Sequence, residues 1–465
     1  MGMLDCRRDR NWIGCIDFGT AYSKFAMVRA VLREDLQEKD IQPLPIAVAP
    51  GYRGRNPFLL PSLLFITDEA VLFGAEAEKR TLQTQGSMRR AFSSPKQFLS
   101  THDLSDFDVN IDREIDPTGQ FTPRILLSLF MAHLLERAGA HAKEKKLPWP
   151  IPLRIARPAW KGERAIEGEN LLKQLVVTAF ALVDRLGNKL SQNGGLPCGT
   201  AIAAFKKAST MLPKDNGIFK LAHDGRASVL EATAVAAGSI RRPGRRVVAV
   251  ADIGGGTSDF GCFMTGVNPE KLVIAEIEGG SHILTDAGDY LDMQLRRLIL
   301  ERAGYLPDDP AAAGPVRKLL RQQRELKEML FSQGEVVVEV GEEVVEITSE
   351  EFLSDKKVAD FSWRLRERFH LTLKAATDCA RCYPGQNRFL PQIEIMLTGG
   401  GHSLPMVKAL IEDPSVPWSY TARAPELFED EPNFDFQSVR RQLAVAIGGA
   451  MSELPVTHRI AAPAV

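Results

Sequence analysis

"VVAVADIGGGTSDF", residues 247 to 260, runs from alternating apolar residues into three consecutive glycines and sets a threonine and an aspartate beyond them. A shorter form, "IGCIDFGTAYSKFAMV" at 13 to 28, has the same order of strand, Asp, glycine turn, hydroxyl residues and return strand. A third glycine turn, in "IEIMLTGGGHSLPMVKALIED" at 393 to 413, again follows a strand and is expected to open a helix. Glycine admits positive φ and removes the Cβ, so main-chain N–H groups can close on phosphate oxygens. A neighbouring Thr or Ser adds a short hydroxyl donor. An Asp at a strand end repels phosphate directly, but it can hold a Mg²⁺ through water. Two facing turns, each with one Asp, would grip one polyphosphate from both sides, and the third turn could lie against the adenosine end.

Composition bounds this reading without deciding it. The chain has 465 residues, 44% hydrophobic and 25% charged, enough for two sizeable lobes with a core each. Fifty-eight basic residues against fifty-nine acidic ones give no support to a nucleic-acid or anionic-membrane partner. No stretch approaches the roughly 20 apolar residues of a spanning helix, and "MGMLDCRRDRNW" carries no apolar signal-peptide core, so a soluble cytoplasmic protein is expected. Of six cysteines, only Cys379 and Cys382 are close in sequence. A single CxxC without a second pair reads as reduced thiols packed at a helix end rather than as a zinc site.

Strands and helices alternate along the chain without a fixed-period repeat. A strand pair is expected in "LLFITDEAVLFG", and helices in 122 to 146, in "ERAIEGENLLKQLVVTAFALVDRL", in 318 to 332 and in "VADFSWRLRERFHLTLKAATDCARCY". "GEVVVEVGEEVVEI" at 334 to 347 reads as a hairpin turning near Gly341, and 187 to 226 as loop-rich. Neither main glycine turn fits the Walker pattern or a GxGxxG dinucleotide turn.

In order and spacing, "IDFGTAYS", "DIGGGTSDF" and "LTGGGHSLP" resemble the two phosphate motifs and the adenosine motif of the actin-like ATPase superfamily. Within it the chain is most similar to the DnaK-type heat-shock chaperones, the 70-kilodalton class. "PSLLFITDEAVLFGAEAEKR", "RIARPAW" and "VLEATAVAAG" extend the likeness in collinear order over most of residues 12 to 455.

The resemblance implies an α/β, two-lobed actin-like ATPase fold with a ribonuclease H-like sheet in each lobe. Lobe I would span 1–241, with a subdomain at about 41–120 and an enlarged segment at about 176–226. Lobe II would span 242–465, with a subdomain at about 291–389. It further implies ATP or ADP with Mg²⁺ at the base of the cleft, Asp17 and Asp252 near the metal through water, and Asp259 orienting the attacking water. Gly19, Thr20, Ala21, Tyr22 and Gly254, Gly255, Gly256, Thr257 would cradle phosphate. Lys96 falls at the family's catalytic lysine and Glu231 at its metal-shell glutamate; the alternatives are a solvated surface lysine and a plain helix N-terminal acid. Pro158 matches a relay proline or is simply a rigid strand end. Lys327, Gly399, Gly400, Gly401 and Ser403 would lie on the adenosine side.

Several positions depart from the family. Ala21 replaces a second Thr, Ser403 an Arg that stacks on adenine, and Gln442 an Asp; Arg324 and Phe331 replace a Glu and a Ser beside Lys327. After "AVAIGGAMSEL" only "PVTHRIAAPAV" remains, so no C-terminal peptide-binding domain is expected. The leading expectation is a slow Mg²⁺-dependent ATPase of the chaperone type, its closure set by nucleotide state, with any protein partner or co-chaperone unspecified. A nucleotide-gated binding module with little hydrolysis, a sugar kinase or a filament protein are the other readings.

Overall fold

A computed structural model describes residues 11–31, 35–47, 56–84, 89–157, 160, 163–210, 228–239, 246–268, 271–306, 309–382, 393–412, 420–423 and 433–460. The apolar alternation of the first glycine-turn segment folds as β1 (Trp12–Asp17) and β2 (Tyr22–Arg29), an antiparallel hairpin. Antiparallel to β2 lies β3 (Ile41–Pro43); parallel to β1 lies β4 (Leu153–Arg157), followed in parallel by β5 (Ser228–Leu230). The sheet order is β5-β4-β1-β2-β3.

The second glycine segment builds the same arrangement. Here β6 (Arg246–Ile253) and β7 (Ser258–Asn268) form an antiparallel hairpin, continued antiparallel by β8 (Lys271–Ile277). On the other side, β9 (Ile393–Thr398) runs parallel to β6, and β10 (Tyr420–Arg423) parallel to β9. Order and strand sense in β10-β9-β6-β7-β8 thus repeat those of the first sheet. The tail adds one more strand, β11 (Val456–Ile460), parallel to β8. The chain is therefore mixed α/β with several sheets, and no helix among the described residues is long and apolar enough to cross a membrane.

Both hairpins are apolar on both faces, as strands covered on two sides must be. Ile16 of β1 packs into a core with α2 (Pro123–Glu144) and α3 (Glu163–Leu186). Val247, Ala249 and Ala251 of β6 enter a second core with α5 (Gly288–Arg302), α6 (Ala313–Gln333) and α7 (Lys356–Cys382). The alternate residues, Cys15 of β1 and Val248 and Val250 of β6, share a third core with α4 (Glu231–Ser239) and α8 (Ala444–Gly449). These two small-residue helices touch closely. A Cβ on Gly448 would lie 1.7 Å from the Ala234 carbonyl oxygen.

Two expectations need correction. Within the region read as loop-rich, Cys198–Thr210 is a helix whose buried face is Cys198, Ala201, Ala204 and Ala208; a stripe made of small side chains is faint as hydrophobic periodicity, and Pro197 and Gly199 masked its start. Residues 211–227 lie outside the described residues. The helix after the third glycine turn is a single turn, Pro405–Lys408. The tail after "AVAIGGAMSEL" contributes β11, which pairs along the outer edge of β8.

Candidate functional site

The two hairpins present their turns to each other. In the first, Gly19 is required because a Cβ there would stand 2.1 Å from the Tyr22 carbonyl oxygen. In the second, Gly254 N–H donates to Thr257 O at 2.9 Å, closing the turn. The start of α5 braces it from behind: Gly288 N–H donates to Gly254 O at 3.3 Å and Asp289 N–H to Gly255 O at 2.7 Å. Lys327 of α6 holds that brace, donating to Gly288 O and pairing with Asp292 Oδ1, both at 2.8 Å. The turns then meet directly. A Cβ on Gly256 would sit 3.0 Å from Thr20 Oγ1, and one on Gly255 would sit 3.4 Å from Thr20 Cβ.

The third turn rides on the end of β6. Gly399 has φ +80°, and a Cβ there would lie 2.2 Å from Ile253 O and 2.7 Å from Asp252 Oδ1. Gly401 N–H donates to Ile253 O at 2.8 Å, while Thr398 Oγ1 donates to Asp252 Oδ1 at 3.0 Å. Gly400 and Ser403 remain exposed.

Strand register sets the charges. Asp17 stands opposite Lys24 across β1 and β2, and Asp252 opposite Asp259 across β6 and β7. Lys24 Nζ donates to Asp17 Oδ2 at 2.8 Å. Lys96, near the start of α1 (Pro95–Thr101), pairs with Glu231, the first residue of α4. All four acids and Lys96 are buried. Burial sets aside the surface-lysine alternative for Lys96, while Glu231 does stand at a helix N-terminus, as its alternative had it, and there pairs with Lys96.

Fully charged, the four carboxylates of Asp17, Glu231, Asp252 and Asp259 outnumber the ammoniums of Lys24 and Lys96 by two. Burial, then the Asp17 and Asp259 charges, pushes Asp252 up to about 6. Burial, then the Glu231 charge, pushes Asp259 up to about 6 despite the Thr257 hydroxyl bonded to it. Glu231 rises to about 7, burial outweighing the pull of Lys96. Burial alone would lower Lys96, but the Glu231, Asp259 and Asp17 charges prevail and hold it above its ordinary value. The two partners thus differ: Lys96 stays charged, whereas Glu231 shares protons with the other acids because three carboxylates surround it and only one ammonium pairs with it. Asp259 Oδ2 is buried with no hydrogen-bond partner among the described residues. That oxygen can accept a hydrogen bond from a group entering the site.

Among the described residues no group of three or more His, Cys, Asp or Glu side chains closes around a common point for direct metal ligation. Excess negative charge without a closed ligand cage suits a hydrated divalent cation, since Mg²⁺ keeps several waters. Asp17 and Asp252, flanking the meeting of the turns, fit as water-mediated holders.

The expected residues therefore divide clearly. Asp17, Lys96, Glu231, Asp252, Asp259 and the two main turns, Gly19 to Tyr22 and Gly254 to Thr257, converge. Lys327 sits behind the second turn as its brace, and Ser403 at the outer surface of the third. Arg324 of α6 lies over the Tyr22 ring, 4.9 Å from its centroid, and so links the C-terminal sheet's helix to the first hairpin. Pro158 lies outside the described residues. Cys379 is buried near the end of α7, 3.8 Å from Met264 Sδ, and Cys382 is the last residue of that helix. A separate pocket, lined in part by Phe73, His133, Arg137 and Ser191, contains none of the site residues. Among the described residues, buried charges and glycine turns coincide at the acids and not in that pocket.

Sequence reading missed Lys24, Asp289 and Thr398. Lys24 was within reach of hairpin arithmetic, because Asp17 and Lys24 have the same seven-residue spacing as Asp252 and Asp259. Asp289 and Thr398 had no such signal. Compared with known proteins, the chain matches no protein-family model and no curated sequence.

Proposed function

We propose that this chain binds a nucleoside triphosphate with Mg²⁺ between its two hairpin turns and hydrolyses it slowly, as an actin-like ATPase of the heat-shock chaperone type. The observation that carries the reading is the contact of Thr20 with Gly255 and Gly256 above four buried carboxylates. The repeated strand order of the two sheets supports the two-lobed fold that the motifs imply.

In this reading the glycine turns offer main-chain N–H groups and the Thr20 hydroxyl to phosphate oxygens, while the Thr257 hydroxyl holds Asp259. Asp17 and Asp252 would hold the cation through water, and the charge neutralisation a divalent cation supplies would fall on the phosphates there. Asp259, with its unpartnered Oδ2, orients a water and accepts its proton, a role suited to a carboxylate raised to about 6. Lys96 stabilises charge as it builds on the terminal phosphate. The exposed Ser403 offers little to stack on a base, so base selectivity is weak.

Steady-state ATP turnover tests the proposal. Asp259→Ala and Asp17→Asn are expected to lower kcat by about 10²-fold or more, the scale of lost acid–base or electrostatic assistance. Tight binding with no turnover in the parent chain would instead favour a nucleotide-gated module. Absence of binding would overturn both.

A further inference from the structure

Resting on that reading, we propose that Lys24 is a tethered counter-ion that competes with the divalent cation for Asp17, so that the site holds polyphosphate with a reduced metal requirement. The two hairpins are equivalent in register, yet their second charged positions have opposite sign: Lys24 faces Asp17 where Asp259 faces Asp252. Like charges facing across strands disfavour ionisation, whereas opposite charges attract. The first hairpin therefore arrives with its acid already neutralised, and the second does not.

Position strengthens the argument. The Lys24–Asp17 pair is largely buried, with side chains 13% and 5% exposed. Lys24 Nζ would be 3.5 Å from a Cβ on Gly19, which puts the ammonium beside the first phosphate turn and not behind it. Its charge also reaches Asp252 in the other hairpin. A cation approaching Asp17 must displace this ammonium or work against its repulsion. Lysine is a compact charge on a flexible stem, able to swing from a carboxylate to another anion. A polyphosphate entering between the turns offers such an anion, and Asp17 is then released to the cation's waters. Lys24 is a positioning residue in this scheme, acting through Asp17.

The test uses the full chain, the parent and Lys24→Met and Lys24→Arg variants, with folding verified by thermal melts. The first readout is Mn²⁺ alone, titrated by calorimetry at pH 7.5. Lys24→Met is expected to bind Mn²⁺ at least about 10-fold more tightly than the parent, and Lys24→Arg to match the parent, because removing a facing unit charge at short range is a tenfold effect or larger. The second readout is ADP affinity in Mg²⁺ divided by affinity in EDTA, a ratio expected to rise about 10-fold in Lys24→Met. Unchanged Mn²⁺ affinity in folded Lys24→Met overturns the counter-ion role. ADP binding by no variant under either condition sinks the nucleotide reading instead, and the Mn²⁺ isotherms then decide the counter-ion proposal alone.

Discussion

At the scale of single residues, the buried Lys96–Glu231 pair is the most sensitive point of the site. Its members are not equivalent, because the surrounding acids already leave negative charge in excess. Lys96→Met strands Glu231 among Asp17, Asp252 and Asp259, and is expected to cost about 3–5 kcal/mol in urea unfolding, the range for breaking a buried pair from one side. Glu231→Gln removes a charge from an over-acidic cluster and is expected to cost less than about 1 kcal/mol. Equal losses in the two variants would mean that the cluster carries no such excess. A second titratable residue lies away from the site. His133 is stacked on Phe73, with ring centroids 4.9 Å apart, and its Nδ1–H donates to Leu190 O at 2.8 Å. Burial lowers it from 6.5 to about 4. The unfolded chain therefore takes up a proton first, so His133 contributes fully above pH 6.5 and its contribution is lost as pH falls toward 4. The raised carboxylates behave oppositely, their contribution complete near pH 4 and lost as pH rises through about 6 to 7. Comparison with His133→Gln cancels that opposing term. From pH 7 to pH 5 the parent chain is expected to lose about 2 kcal/mol relative to the variant.

At the scale of elements, the site depends on how α4 and α8 pack between the sheets, since α4 begins with Glu231. Gly448→Ala drives a methyl into the Ala234 carbonyl, a backbone group that cannot rotate away. A loss of about 3 kcal/mol is expected, at the upper end for overpacking. Gly400→Ala meets no atom within 4 Å and serves as the control, with a change under about 0.5 kcal/mol. Chemical unfolding of the two variants checks the contrast. Much of this architecture was legible beforehand. The hairpins, the long helices and the pair turning at Gly341 follow from periodicity and turn residues that act locally. The helix Cys198–Thr210 was hidden because its packing face is alanine and cysteine. The role of β11 depended on an unpaired edge far away in sequence, which no local pattern announces. In the site, Asp17, Asp252 and Asp259 were legible in the turn segments and Lys96 and Glu231 only through the family resemblance, whereas Lys24 required the register and Thr398 the pairing of β6 with β9.

At the scale of the whole molecule, one strand plan is used twice, and each copy delivers a glycine turn and an acid to the same place. Arg324 over Tyr22 joins the copies through α6, and α4 against α8 joins them through the shared core. In the proposed reading, a polyphosphate between the turns would touch both copies and so would bias their separation.

The most direct measurement is a crystal structure of the full chain grown with Mg·ADP. The account predicts diphosphate density contacted by main-chain N–H groups of Gly19 to Ala21 and of Gly254 to Thr257, with a hydrated metal beside Asp17 and Asp252. Nucleotide bound at another surface, or turns that stay closed on each other at saturating Mg·ADP, would contradict it.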